Sequence, residues 1–212
     1  MNKKIVVELI GMPGSGKSYY QKKIFNKFKQ EAETNNFTKF TKLTKFFFLI
    51  CFFYKHPIFL IKSLYFLYRK KKTLDKKKHF YYFFNEAAYR GYFNSFFSKK
   101  KILINSEGFF YRSAYLFENN LTEALNKYFK YLPTVDVLIL VIAKKNNILN
   151  RVKMRKKGFV YDKVDFKNYD KKEFFLKKIA KKHKNFTLVI ENNISSNETL
   201  NLTKIIRMIN KV

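Results

Sequence analysis

Residues 5 to 20 read "IVVELIGMPGSGKSYY", a short apolar run that passes without interruption into three glycines, a lysine and a serine. No other stretch constrains the fold as tightly. An apolar run of strand length over 4–10, closed by glycines and followed by a helix-forming segment from 17 to about 33, predicts a strand–loop–helix unit. "GMPGSGKS" satisfies G-x-x-x-x-G-K-[ST] at Gly11, Gly16, Lys17 and Ser18, and it lies between a strand and a helix as that motif requires. Glycines allow successive backbone N–H groups to turn inward around phosphate oxygens, and the N-terminus of the following helix adds partial positive charge. Gly11, Met12, Pro13, Gly14, Ser15, Gly16, Lys17 and Ser18 are therefore expected to cradle a nucleoside triphosphate. Lys17 would reach its β- and γ-phosphates and the Ser18 hydroxyl would ligate Mg²⁺.

The rest of the chain supplies further strands separated by helices. "ILIN" at 102–105, "VDVLILVIA" at 135–143 and "FTLVIEN" at 186–192 read as strands, and the second is a continuous β-branched and leucine run suited to a sheet covered on both faces. Helices are expected at about 145–157, at 171–184 and from about 196, the last with Ser195 and Ser196 at its N-cap and Glu198 in its first turn. One or two more fall within 110–131 and end before Pro133. This alternation implies a parallel sheet with right-handed crossovers, and 212 residues suit one α/β domain that carries an insertion.

The formal net charge of +30 would, taken alone, suggest a nucleic-acid or membrane partner. The chain is built, however, from Lys, Asn, Phe, Tyr and Ile, the residues of A/T-rich codons, with no Trp and little Gly, Pro or Arg. The charge therefore does not by itself indicate nucleic acid, and such a partner is not expected. Against that background the six arginines stand out: Arg69, Arg90, Arg112, Arg151, Arg155 and Arg207. A planar guanidinium that grips phosphate through two parallel hydrogen bonds is hard to replace with lysine. The lone cysteine, Cys51, allows no intrachain disulfide and suits a reducing cytoplasm, and no signal-peptide pattern precedes the glycine loop.

The loop resembles the G-x-P-G-S-G-K-[ST] form found in small-molecule and nucleotide kinases of the P-loop superfamily, and the NKxD base-reading motif of G proteins is absent from the sequence. "ILINSEGFFYRS" resembles the D-E-G/D-x-x-x-x-R segment that follows the acceptor-binding region of those kinases, with Ser106 where many relatives carry Asp. "NNILNRVKMRKKGF" is similar to their lid, and "LVIENNISSNETLNLTKIIRMI" to their final strand, polar turn and helix. Thymidylate-kinase-like P-loop kinases are the nearest family, and the resemblance covers residues 3–30 and 101–212. It implies a three-layer P-loop α/β fold, a parallel sheet flanked by helices, that transfers the γ-phosphoryl of ATP to a small-molecule acceptor: a nucleotide, a sugar or a lipid-linked metabolite. It further implies Glu107 as Mg²⁺-water ligand or as base for the acceptor hydroxyl, and Arg112 as a contact to the acceptor or the transferred group. Arg151 and Arg155, four apart on one helical face, would act as arginines of a lid at 145–172. Asn192 and Asn193 would lie near the nucleotide base. Two other readings stay open: a membrane-associated NTPase without an acceptor, and a polynucleotide 5′-kinase.

Residues 37–100 fall where those kinases bind the acceptor, as a helical, aromatic-rich insertion. The run "FFFLICFFYKHPIFLIKSLYFLY" at 46–68 is expected to break into two helical pieces at His56 and Pro57. Lys55, His56, Pro57 and Lys62 interrupt it, which leaves no transmembrane span. Two arrangements fit. One is a helical cap whose aromatics pack on the core; the other is an interfacial hairpin with lysines on anionic headgroups, a peripheral contact with the inner face of the membrane through 46–68. A further helix over 79–97 carries Arg90, a candidate for binding an acceptor phosphate or other anion, with Glu86 four residues earlier as an alternative partner for it.

Overall fold

The structure, a computed structural model, describes residues 3–34, 40–69, 74–116, 128–153, 169–193 and 198–212. Among them β1 (Ile5–Ile10), β2 (Ala32–Thr34), β3 (Ile102–Asn105), β4 (Val137–Ile142) and β5 (Thr187–Glu191) pair side by side in the order β2-β3-β1-β4-β5, every neighbour parallel. The apolar runs are nearly continuous because both faces of the sheet are covered. Val6, Ile10, Leu103, Leu138 and Leu140 point to one side, whereas Val7, Leu9, Ile104, Ile139 and Val141 point to the other. The second side is covered by α1 (Lys17–Lys27) and α8 (Glu198–Asn210), through Tyr20, Ile24, Ile205 and Ile209. The first is covered by α2 (Lys42–Lys55), α3 (Pro57–Arg69), α4 (Leu74–Asn94), α5 (Phe109–Leu116) and α7 (Tyr169–Lys182), which contribute Phe52, Phe59, Phe83, Phe109 and Phe175 among others. A shorter helix, α6 (Lys145–Lys153), follows β4. This is the three-layer architecture expected from the sequence.

The break inside the insertion falls where proline chemistry demands it. Pro57 disfavours helical geometry at His56, which sits at φ −133° and ψ 53°; the axes of α2 and α3 diverge by 105°. Thr41 caps α2, its Oγ1 accepting from the Thr44 N–H at 3.3 Å. Phe48, Phe52 and Phe59 are buried, so the cap arrangement is realised on the inner face of both helices. The helix expected to run to about residue 33 instead stops at Lys27, and β2 follows as an edge strand whose Ala32 pairs with Ile102. Its three residues are too few and too polar to show a period of two. Glu33 nevertheless turns inward and accepts from Ser98 Oγ at 2.9 Å. The N-cap expected at Ser195 and Ser196 lies outside the described residues, while Glu198 does open α8.

One charged residue interrupts the apolar pattern of β1. Glu8 is fully buried, its Oε2 accepting from Arg90 Nη2 at 3.1 Å and its Oε1 from the Tyr111 N–H at 2.9 Å. Arg90 Nε donates in turn to Glu86 Oε1 at 2.8 Å, and its guanidinium lies 4.8 Å from the centroid of the Phe109 ring. Arg90 is thus a core cation shared by two carboxylates, not an anion-binding group: the pairing with Glu86 holds, and the acceptor-phosphate alternative fails because the side chain has no access to solvent.

Burial pushes the Glu8 carboxyl up to about 7 from 4.5, with Arg90 pulling the other way and Glu86 reinforcing the rise. Between those values the folded protein holds a proton that the unfolded chain has released, so this group's contribution to stability is lost as pH rises through the window. Half-buried His56 and His183, both shifted down by desolvation, contribute with the opposite sign. Denaturant unfolding across this pH range should therefore show wild type losing up to about 3 kcal/mol relative to Glu8→Gln as pH rises. Parallel profiles for the two proteins would remove Glu8 from the account.

Candidate active site

The loop between β1 and α1 takes the shape its glycines allow. Gly11, Gly14 and Gly16 all have positive φ, and Gly16, the N-cap of α1, lies in the left-handed region at φ 107° and ψ 11°. A Cβ at Gly16 would collide with the Asn192 side-chain amide, which closes the position to any other residue. No side chain caps α1, so the partial positive charge of its first turn faces the loop's hollow. Lys17 is buried and folds back over the loop: Nζ donates to the carbonyls of Gly11 at 2.8 Å and Met12 at 3.1 Å and stands 4.6 Å from the Tyr111 ring centroid. Ser18 is exposed on the first turn of α1. Ser15 Oγ is buried without a hydrogen-bond partner among the described residues.

The loop is held from behind by the end of β5. Asn192 Nδ2 donates to the Ser15 carbonyl at 2.7 Å, while Arg151 Nη2 donates to the Asn192 carbonyl at 3.1 Å. Arg151 Nη1 reaches the carbonyls of Gly14 and Ser15 at 3.4 Å each. Arg151 is therefore brought to the loop, but its guanidinium lies on the loop's own carbonyls. Asn193 takes a different part, its Oδ1 accepting from the Lys144 N–H at 3.1 Å and tying the end of β5 to that of β4. Arg155 lies outside the described residues.

The facing wall grows from β3. Parallel pairing sets Asn105 beside Glu8, so Ser106 and Glu107 emerge next to the start of the loop. Asn105 Oδ1 accepts from the Glu107 N–H at 2.9 Å, and Glu107, half exposed, forms an ion pair with Arg112 Nη2. Gly108 lets the chain turn directly over the buried Glu8 carboxylate, where a Cβ would strike its oxygens. Glu8 then receives the N–H groups at the start of α5, which fixes that helix and the two site residues on it. The Arg112 guanidinium stacks on Tyr82 of α4 at 4.0 Å and lies 6.0 Å from the Tyr111 ring. Tyr111 thus stands between Lys17 and Arg112 and links the loop to the β3 wall. Arg112 Nε and Asn105 Nδ2 are buried without acceptors among the described residues.

Lys17, Glu107, Arg112 and Arg151 are therefore gathered around one loop from three separate segments, Glu107 and Arg112 both coming from the chain that leaves β3. Sequence reasoning missed Glu8, Tyr82 and Tyr111. An isolated Glu within an apolar strand was the one visible sign of the first; nothing marked the tyrosines among the fifteen in the chain. A glycine loop after a central strand of a parallel sheet, with a helix opening on it and a carboxylate–arginine pair at the end of the adjacent strand, is the arrangement the site presents.

No protein-family model and no curated protein matches the chain. Solved structures do match in fold. Thymidylate kinase from Candida albicans superposes with a TM-score of 0.63 at 16% identity, over 99% of this chain and 92% of that one. Thymidylate kinase from Ehrlichia chaffeensis gives 0.57 at 11% identity, over 97% and 98%. Deoxyadenosine kinase from M. mycoides, solved with bound dCTP, gives 0.54 at 12% identity, over 98% and 100%. The chain is similar to these nucleotide and nucleoside kinases in architecture along nearly its whole length.

Proposed function

We propose that this protein is an ATP-dependent kinase that phosphorylates a small acceptor of the nucleoside or nucleotide class. The observation that carries this reading is the grouping of Lys17, Arg112 and Glu107 about Tyr111, where β1 and β3 end beside the glycine loop. The neighbours' acceptors, thymidylate and deoxyadenosine, narrow the class. The uncapped N-terminus of α1 suits the triphosphate of ATP. The Ser18 hydroxyl suits Mg²⁺, which commonly takes one or two protein oxygens and otherwise keeps waters and phosphates. When bound, the metal would neutralise charge on the β- and γ-phosphate oxygens.

Lys17 leaves its loop carbonyls for the β- and γ-phosphates. With a nucleoside acceptor, one Glu107 oxygen remains on Arg112 while the other accepts the proton of the acceptor hydroxyl as its oxygen bonds to the γ-phosphorus and the bridging bond to ADP breaks; a monophosphate acceptor attacks through its own anionic oxygen and passes no proton. Arg112, held by the Tyr82 face, bears on the acceptor side, and Arg151, already at the Gly14 and Ser15 carbonyls, bears on the triphosphate side. Glu107→Gln tests the assignment: ATP affinity should stay within about twofold while transfer falls by about 10²-fold or more. Unchanged transfer would make Glu107 a turn residue. ADP release measured across deoxynucleosides and their monophosphates should rise with at least one of them, and indifference to all would leave an NTPase without an acceptor.

A further inference from the structure

Each helix of the α2–α3 pair turns an apolar stripe outward. Leu43, Phe46, Ile50 and Tyr54 are exposed on α2 at spacings of three, four and four, and Ile58 and Ile61 continue the pattern on α3. Leu43 is 80% and Tyr54 85% exposed. A helix covering a core ordinarily gives this face to charged residues. Here the opposite face already sits in the core through Phe48, Phe52 and Phe59, so the outer stripe is surplus to packing. Apolar surface of this extent on a folded chain marks an interaction site.

Charge decides what covers it. Residues 37 to 74 contain nine lysines and arginines and no Asp or Glu, and exposed Lys42 and Lys55 stand at the two ends of the α2 stripe. A second copy would set like charges against each other across this face, whereas an acidic surface is complementary to it. α2 and α3 meet at His56 and Pro57, so the second stripe follows the first across the bend. No single helix among the described residues is long and apolar enough to cross a membrane, and the inner half of each belongs to the protein core.

We propose that the α2–α3 face seats this protein on the surface of an anionic bilayer. The exposed aromatic and aliphatic side chains enter the headgroup–acyl boundary and the flanking lysines bind the lipid phosphates. The attachment is independent of the kinase reading. Flotation of the full chain with phosphatidylcholine vesicles containing about 30% phosphatidylserine, in about 0.15 M salt, should carry the protein upward, with about tenfold less on phosphatidylcholine alone. Equal or absent binding on the two vesicles overturns the proposal. Phe46→Ser/Ile50→Ser/Tyr54→Ser keeps every lysine and should lower partitioning about tenfold or more; wild-type binding by this variant would mean adsorption by charge alone and would also overturn it. The chain has no tryptophan, so Tyr54→Trp supplies a single reporter whose emission should move to the blue on vesicles and be quenched by brominated lipid. Unchanged emission counts against insertion. A wild type that ignores vesicles and sediments as two chains, falling to one in the triple variant, would assign the face to a second copy instead.

Discussion

Lys17→Ala is expected to abolish nucleotide turnover, with kcat/KM falling by about 10³-fold or more. The side chain is buried, and its ammonium rests on two backbone carbonyls of the loop and the face of Tyr111, so its charge is held in a site of low dielectric before any nucleotide arrives. A phosphate group competes for that charge far better than neutral carbonyls do. The lysine's contribution should grow as negative charge shifts onto the bridging oxygen in the transition state. Alanine removes it completely. Arginine should not restore it, since a planar fork cannot replace a compact ammonium seated between loop and ring. ADP release at saturating ATP checks the loss, and the unfolding midpoint checks that the loop survives without its internal hydrogen bonds. A decrease of only a few-fold in a folded variant would mean that the loop binds phosphate without using Lys17 in chemistry.

Arg90→Met should cost about 3–5 kcal/mol of stability near pH 7.5. It leaves Glu8 and Glu86 in the core with no counter-charge, in a chain whose whole margin is of the order of 5–15 kcal/mol. The loss should shrink near pH 5, where the Glu8 carboxyl, displaced upward by burial, holds a proton. Glu8→Gln/Glu86→Gln/Arg90→Met, which replaces the charges together, should recover part of it. Urea unfolding at the two pH values measures both effects; a loss below about 1 kcal/mol at pH 7.5 would show that the three groups are not coupled. The network also bears on function, because Glu8 anchors the first N–H groups of α5, the helix that carries Tyr111 and Arg112. Activity in Arg90→Met should therefore fall even in the fraction that remains folded.

Much of this architecture was legible because it rests on local chemistry. Glycines at 11, 14 and 16, a lysine at 17 and an apolar run before them can satisfy their backbone in few ways, and the loop forms where the motif lies. The long run at 137–142 had to be a strand covered on both faces, and Pro57 had to break the insertion. β2 was hidden for the opposite reason. Three residues at a sheet edge, Ala32, Glu33 and Thr34, carry no period, and pairing with β3 alone makes them a strand. Arg90 could be read either way from its spacing to Glu86; Glu8, 82 residues away, decides it in favour of burial.

The sequence by itself determined the glycine loop at 11–16, the alternation of strands and helices and the break at Pro57, since each follows from interactions among residues close along the chain. Only the tertiary structure decided which groups share the site. Tyr111 between Lys17 and Arg112, Asn192 on the Ser15 carbonyl and the buried triad of Glu8, Arg90 and Glu86 all depend on contacts between segments far apart in sequence. It also decided which half of each aromatic helix is core and which is surface. Both faces of α2 are apolar, and packing against α4 and α5 buries Phe48 and Phe52 while leaving Phe46 and Ile50 in the open.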